Sequence, residues 1–140
     1  MHEKQLEFSE NARKEIRVLC AAVSDLVHQT ADLLVSRDVA AAVRIEPLEE
    51  VVDDLSDMMK LHHVERLREG RCTIEMGFIL NDLTNSLERV ADHCSNVAVS
   101  ILEQQEDSAG RHEVRRELKQ SNNTELMKVY KTYKEKYSIS

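Results

Sequence analysis

Apolar residues recur every three or four positions along most of this chain, and that rhythm constrains the fold more than any single motif. Ala12, Ile16, Leu19, Val23, Leu26, Thr30 and Leu33 form one series. Ala41, Ile45, Leu48, Val52, Leu55, Met59 and His62 form a second, and Met76, Leu80, Leu83, Leu87, Val90, Cys94, Val97 and Ile101 a third. A period near 3.5 lines one face of an α-helix and does not line one face of a strand. Three glycines and one proline in 140 residues leave few places to break a helix. Hydrophobic residues make up 41% and aromatics only 4%, so the core must be mostly aliphatic side chains with Ala and Met. The fold class is all-α: an antiparallel three-helix bundle with one or more additional C-terminal helices.

The first helix is expected over about 3–35, with Asp38 capping the next. Pro47 lies inside the second series, where a proline removes a hydrogen bond and crowds the preceding turn. Either a short helix over 38–45 ends and a new one starts with Pro47 in its first turn, or one long helix kinks. The unbroken phase of the series favours the kink. Helix two should end near Arg68–Gly70, Thr73 should cap the third helix, and that helix should end near Gln104–Gln105. The segment QEDSAG that follows reads as a linker. The chain therefore divides into a bundle over 1–106 and a linker with a basic amphipathic helical segment over 107–140.

Within that second part, helices are expected at about 111–120 and 123–137. Leu126, Tyr130, Tyr133 and Tyr137 step by four, three and four, and Lys128, Lys131, Lys134 and Lys136 take the other face. The net charge of −7 is uneven: residues 1–110 sum to −11 and residues 111–140 to +4. A basic helix beside an acidic body should pack on it; the sharper alternative is a docking helix for a partner or an anionic membrane surface. The overall acidity argues against nucleic acid as a partner. Cys20, Cys72 and Cys94 are widely spaced and form no CxxC, as in a reduced, cytoplasmic protein whose thiols serve as small hydrophobes. No apolar run approaches the ~20 residues of a membrane span, and the N-terminus does not read as a signal peptide.

Nine pairs of acidic residues stand four apart, where chance predicts roughly five, so spacing alone selects little. Register selects more. If the turn between helices two and three centres on Gly70, Asp53 lies 17 residues before it and Glu88 lies 18 after. Glu49 lies 21 before and Asp92 lies 22 after. At ~1.5 Å per residue, Glu49-x-x-x-Asp53 is level with Glu88-x-x-x-Asp92 on antiparallel neighbours. Glu49 and Asp53 flank the apolar stripe, whereas Glu50 and Asp54 point away from it. Four carboxylates at matched heights suit a hard cation on the outside of the bundle, with Asn85 beside them and Asn96 one turn on. The plainer alternative is a solvated acidic face compensated by Lys60 and Arg89.

Other polar residues carry less. His93 turns about 100° from Asp92 and reads as a surface or helix–helix contact. His62 sits on the stripe as a core or capping histidine, and His63 reads as solvated. A di-iron carboxylate site needs paired ExxH motifs, and only Asp25-x-x-His28 comes near one. Neither a nucleophile elbow nor a glycine-rich phosphate loop is present, so the chain does not read as an enzyme.

The string SLERVADHCSNVAVSI resembles the signature helix of the PhoU family, and LEEVVDDLSDMM resembles the helix that precedes it in the same repeat. The fuller span from RIEPLEEVVDDL to ADHCSNVAV is similar to the PhoU-like cytosolic tail of bacterial Na/Pi cotransporter family proteins. That resemblance implies a three-helix bundle with a regulatory role in phosphate uptake. It implies acidic pairs that hold a surface metal cluster of Fe, Zn or Mn, and carried over they fall on Glu49, Asp53, Glu88 and Asp92. The implied partners are a phosphate transporter or its membrane domain and a sensor kinase, at the cytoplasmic face of the membrane. Family members usually hold two bundles in tandem; this chain holds one, so a homodimer is expected. The competing reading is a metal-free helical adaptor or dimerisation module that recruits a transporter or signalling partner.

Overall fold

A computed structural model describes residues 10–109 and 123–139, with side chains described over 10–104 and 126–139. Five helices are present among them: α1 (Glu10–Ser36), α2 (Val39–Val43), α3 (Ile45–Arg68), α4 (Ile74–Ala109) and α5 (Asn123–Lys136). Helices α1, α3 and α4 form the antiparallel three-helix bundle that the heptad series required, and no strand occurs among the described residues. The series themselves are the core: Leu19, Leu26, Leu48, Val52 and Met59 are fully buried. Ala91 and Ala98 are buried on α4, where small side chains let the neighbouring helices approach.

Each connection follows from a local signal. Helix α1 closes with Arg37 in the left-handed region (φ 55°), its N–H donating to Leu33 O at 2.7 Å. Asp38 caps α2, its carboxylate accepting from Ala40 N at 3.1 Å. Two residues past the end of α3, Gly70 turns the chain with a φ of 72° that suits a residue without a Cβ, and Arg71 N donates back to Arg66 O at 2.8 Å. Thr73 then caps α4 by accepting from Met76 N at 3.1 Å.

Several expectations need correction. The chain does not kink at Pro47. It breaks at Arg44, and Pro47 lies in the first turn of α3, where its missing N–H would have had no helical partner. Arg44 itself keeps helical dihedrals (φ −78°, ψ −10°), so the stripe stays in phase across the break, and phase alone could not reveal it. The linker expected from Gln105 is helical through Ala109. The expected starts of the first helix at residues 3–9, and of a helix at 111–120, lie outside the described residues. By length and composition α1 is apolar enough to cross a membrane, contrary to the reading of apolar runs. Its Ser24, Asp25, His28 and Gln29 interrupt every run without lowering the average enough.

Helix α5 lies across α1 and α3, held by its tyrosines and lysines. Tyr130 donates to Asp54, to which Lys134 Nζ also comes within 3.1 Å. Tyr137, which is buried, donates to Asp25 at 2.8 Å, and Gln29 donates to Tyr133 at 2.8 Å. The Asp25 carboxylate and burial hold the Tyr137 hydroxyl well above the usual tyrosine range, burial being the larger cause. Asp54 therefore points away from the bundle core as expected, and its carboxylate, still part-exposed, is engaged by Tyr130 and Lys134 of α5.

Leu48 is fully buried and Leu61 is exposed on the same helix. Leu48→Ala should cost about 2–5 kcal/mol and Leu61→Ala less than about 0.5 kcal/mol, as read by urea denaturation. Similar costs at the two positions would refute this placement of the core.

Candidate metal centre

Two consecutive turns of α3 present Glu49 and Asp53, and two of α4 present Glu88 and Asp92. Because the Gly70–Thr73 turn sets both helices at matched heights, all four carboxylates line one open groove of about 380 Å³ with Asn85 and Arg89. The cross-helix partners are those the register paired. The charge of Asp92 acts on Glu49, and the charge of Glu88 acts on Asp53. Lys60 closes the turn-proximal end, its Nζ 3.1 Å from Glu88 and 3.5 Å from Asn85. Asn96 is not in this groove. Each step of four residues advances about 40° around a helix, and Asn96 reaches a second groove between α1 and α4 with His93, Leu34 and Arg37.

The groove holds more negative charge than it neutralises. Glu49 is pushed from the ordinary 4.5 up to about 8, first by burial, then by a hydrogen bond donated to Asp53 and by the charges of Asp53, Asp92 and Glu50. Asp53 is also raised, chiefly by burial, although that bond from Glu49 opposes the rise. The two carboxyls thus share a proton in the absence of a cation. Carboxylate and amide oxygens are the ligands a hard cation takes, so the donor set fits in kind. In closeness it does not yet converge: among the described residues, no three His, Cys, Asp or Glu side chains are near enough together to hold one ion. Occupation would require side-chain rotation across the groove.

A different polar cluster was not foreseen. Glu15, only 6% exposed, accepts from His62 Nδ1 at 2.5 Å and from the equally buried Arg66 at 3.3 Å, tying α1 to α3. Its position three after Ala12 and four before Leu19 places it on the α1 stripe, and that was the available signal. His62 is half-buried as expected of a stripe residue. His63 is not solvated. Its ring packs against Cys72 Sγ at 3.4 Å, and a Cβ at Gly77 would come within 2.6 Å of its Nε2. Burial and then the Arg66 charge hold its pKa below the usual histidine value. Cys20 is exposed rather than packed, whereas Cys94 is buried. The isolated Asp25-x-x-His28 serves packing: His28 donates to Ser24 O at 2.7 Å and Asp25 is taken by Tyr137.

The PhoU domain family matches residues 16–101, a span that contains all four groove carboxylates. The phosphate-specific transport system accessory protein PhoU homolog 1 of Thermotoga maritima is 27% identical over 89 residues, covering 64% of this chain. The match covers 38% of that relative's own length. No solved structure matches.

The raised carboxyls make stability pH-dependent. Between 4.5 and about 8 the folded chain binds more protons at Glu49 than the unfolded chain does. That contribution is complete below the unfolded value and is lost as pH rises through the folded one. In chelated buffer, Glu49→Gln should flatten the fall in melting temperature between pH 5 and 8 and should be the more stable protein at the upper end. An unchanged pH profile would contradict the crowding of this groove.

Proposed function

This chain belongs to the PhoU domain family, and on that premise we propose that it is a regulatory module of phosphate uptake and not an enzyme. The observation that carries the reading is the alignment of Glu49, Asp53, Glu88 and Asp92 along one groove inside the family-matched residues. The name of the Thermotoga maritima relative, a phosphate-specific transport system accessory protein, supports the phosphate-transport context. The likeness of the 44–105 region to Na/Pi cotransporter tails supports a transporter membrane domain as the partner, approached from the cytoplasmic face. A sensor kinase and a second copy of the chain are further partners of this reading.

In the proposed mechanism Glu49, Asp53, Glu88 and Asp92 would hold Fe, Zn or Mn ions, with Asn85 as an additional oxygen donor. When bound, the ions supply ligation that ties α3 to α4 and neutralises the groove. The chain's own residues prepare for that exchange. Glu49 and Asp53 share a proton that a bound cation would displace, and Lys60 holds Glu88 in place from the turn side. The outer position of the groove leaves the core series intact whether or not ions are present. The metal-free adaptor reading draws on one observation, that Lys60 already engages Glu88. A basic group from a partner could extend that neutralisation along the groove.

Elemental analysis after loading with Fe, Zn or Mn, followed by desalting, tests the metal. The unaltered chain should retain ions, and the double variant Glu88→Ala, Asp92→Ala should lose them with far-UV circular dichroism unchanged. Failure of the unaltered chain to retain any of the three metals overturns the metal mechanism and favours the adaptor. In the host, deletion of the chain should alter phosphate uptake, and unaltered uptake overturns the regulatory role itself.

A further inference from the structure

A cavity of about 440 Å³ lies at the turn end of the bundle and shares no residue with the carboxylate groove. Helix α1 gives it Asn11, Lys14, Glu15 and Val18, whose spacing of three and four puts them on one face. Helix α3 gives His62, Glu65 and Arg66 by the same spacing. Arg71 comes from the turn after α3, and Ser138 and Ile139 come from just beyond α5.

In a chain of net charge −7, this cavity is a place where cations outnumber acids. Lys14, Arg66 and Arg71 stand against Glu15 and Glu65. One of those acids is already answered, since Glu15 accepts from His62 Nδ1 at 2.5 Å and from Arg66 at 3.3 Å. Arg66 is 6% exposed, yet among the described residues its guanidinium donates only from Nη2 to one Glu15 oxygen. A guanidinium holds further N–H donors in a rigid fork, and here the fork borders the cavity. Arg71 is held beside it, its backbone N–H bonded to Arg66 O at 2.8 Å. The Arg71 side chain pairs with Glu69, and both are exposed. Such a surface pair is worth little, so Arg71 can turn to a ligand at small cost. A desolvated guanidinium flanked by two adaptable cations suits a doubly charged oxyanion such as a phosphoryl group.

The remaining wall describes the rest of the ligand. The volume is that of a site for an organic molecule, far more than a lone tetrahedral oxyanion fills. Asn11, Glu65 and Ser138 offer hydrogen bonds suited to hydroxyl groups, and Val18 and Ile139 add a small apolar surface. Among the described residues no Phe, Tyr or Trp lines the cavity, so a nucleobase would have no stacking platform. We infer that this cavity binds a small sugar phosphate, with the phosphoryl group on Arg66, Arg71 and Lys14 and the hydroxyls on Asn11, Glu65 and Ser138. Because Ser138 and Ile139 directly follow α5, an occupied cavity ties the basic helix to α1 and α3. The inference does not rest on the proposed role in phosphate uptake, and no residue of the metal groove takes part in it.

Isothermal titration calorimetry of the full chain in chelated buffer should show saturable binding of glucose 6-phosphate or ribose 5-phosphate. Inorganic phosphate should bind on the order of tenfold more weakly, and glucose should not bind. Lys14→Glu and Arg71→Glu, both at exposed positions, should each weaken the ester on the order of tenfold. Arg66→Lys, which keeps a charge beside Glu15 and loses the fork, should also weaken it with helicity retained. No saturable binding of either ester, an affinity indifferent to Lys14→Glu and Arg71→Glu, or equal or tighter binding of inorganic phosphate, citrate or AMP would each overturn the inference. If Arg66→Lys fails to fold, the two surface variants decide. Any of these failures leaves the metal-retention and uptake tests unaffected.

Discussion

The short turn from Glu69 to Thr73 sets the geometry on which the candidate site depends. Gly70 adopts a left-handed conformation and Thr73 caps the next helix, so α3 and α4 are joined with almost no slack. An antiparallel hairpin with a fixed turn has a fixed register. One residue added between them would shift α4 by about 1.5 Å and 100°. Glu88 and Asp92 would then leave the groove while the core stripe was disturbed as well. Site geometry and core packing are thus held by the same few backbone hydrogen bonds, and neither can drift without the other.

With the register fixed, the main physical problem for this chain is its excess of carboxylates close to helix–helix seams. Two solutions appear. Glu15 is buried and is met by His62 and Arg66 from the facing helix. Asp25 and Asp54 are met by tyrosine hydroxyls and lysines of α5, which converts part of the acidic surface into the attachment site of the basic helix. The α3–α4 groove is the exception. Lys60 answers only Glu88, and Glu49 keeps a proton near neutral pH instead of finding a cation from the protein. A fold that satisfies its acids elsewhere and leaves one linear set crowded has a place where an external positive charge gains most.

The same contrast explains which features were legible from residues alone. The three-helix core, the caps at Asp38 and Thr73, and the pairing of Glu49 with Asp92 and Asp53 with Glu88 follow from period, capping chemistry and counting from a turn. These are properties of one helix or of one hairpin. What escaped depends on contacts between elements distant in sequence. Asp54 looks free of partners until α5 supplies Tyr130 and Lys134, and Glu15 sits on the α1 stripe with no visible partner until His62 and Arg66 arrive 47 and 51 residues later. The break at Arg44 was hidden for a different reason. A single residue in helical conformation can separate two helices without changing the phase of either. Pro47 located the disruption to within three residues, and what it marked was a helix start.

Placing the crowded carboxylates outside the apolar stripe also bears on regulation. Inside the core, four carboxylates would cost the fold its stability whenever no cation was present. In an open groove, water and a shared proton moderate that cost, and the series from Leu48 to Met59 on the inner side of α3 stays packed regardless. Under the proposed reading, binding there would change the charge and stiffness of one face while the contacts of α3 with α1 and α5 stay in place. A module built this way can alter what it presents to a partner without unfolding. That is the property a signalling domain needs, and one that a metal site used only to hold the fold together would lack.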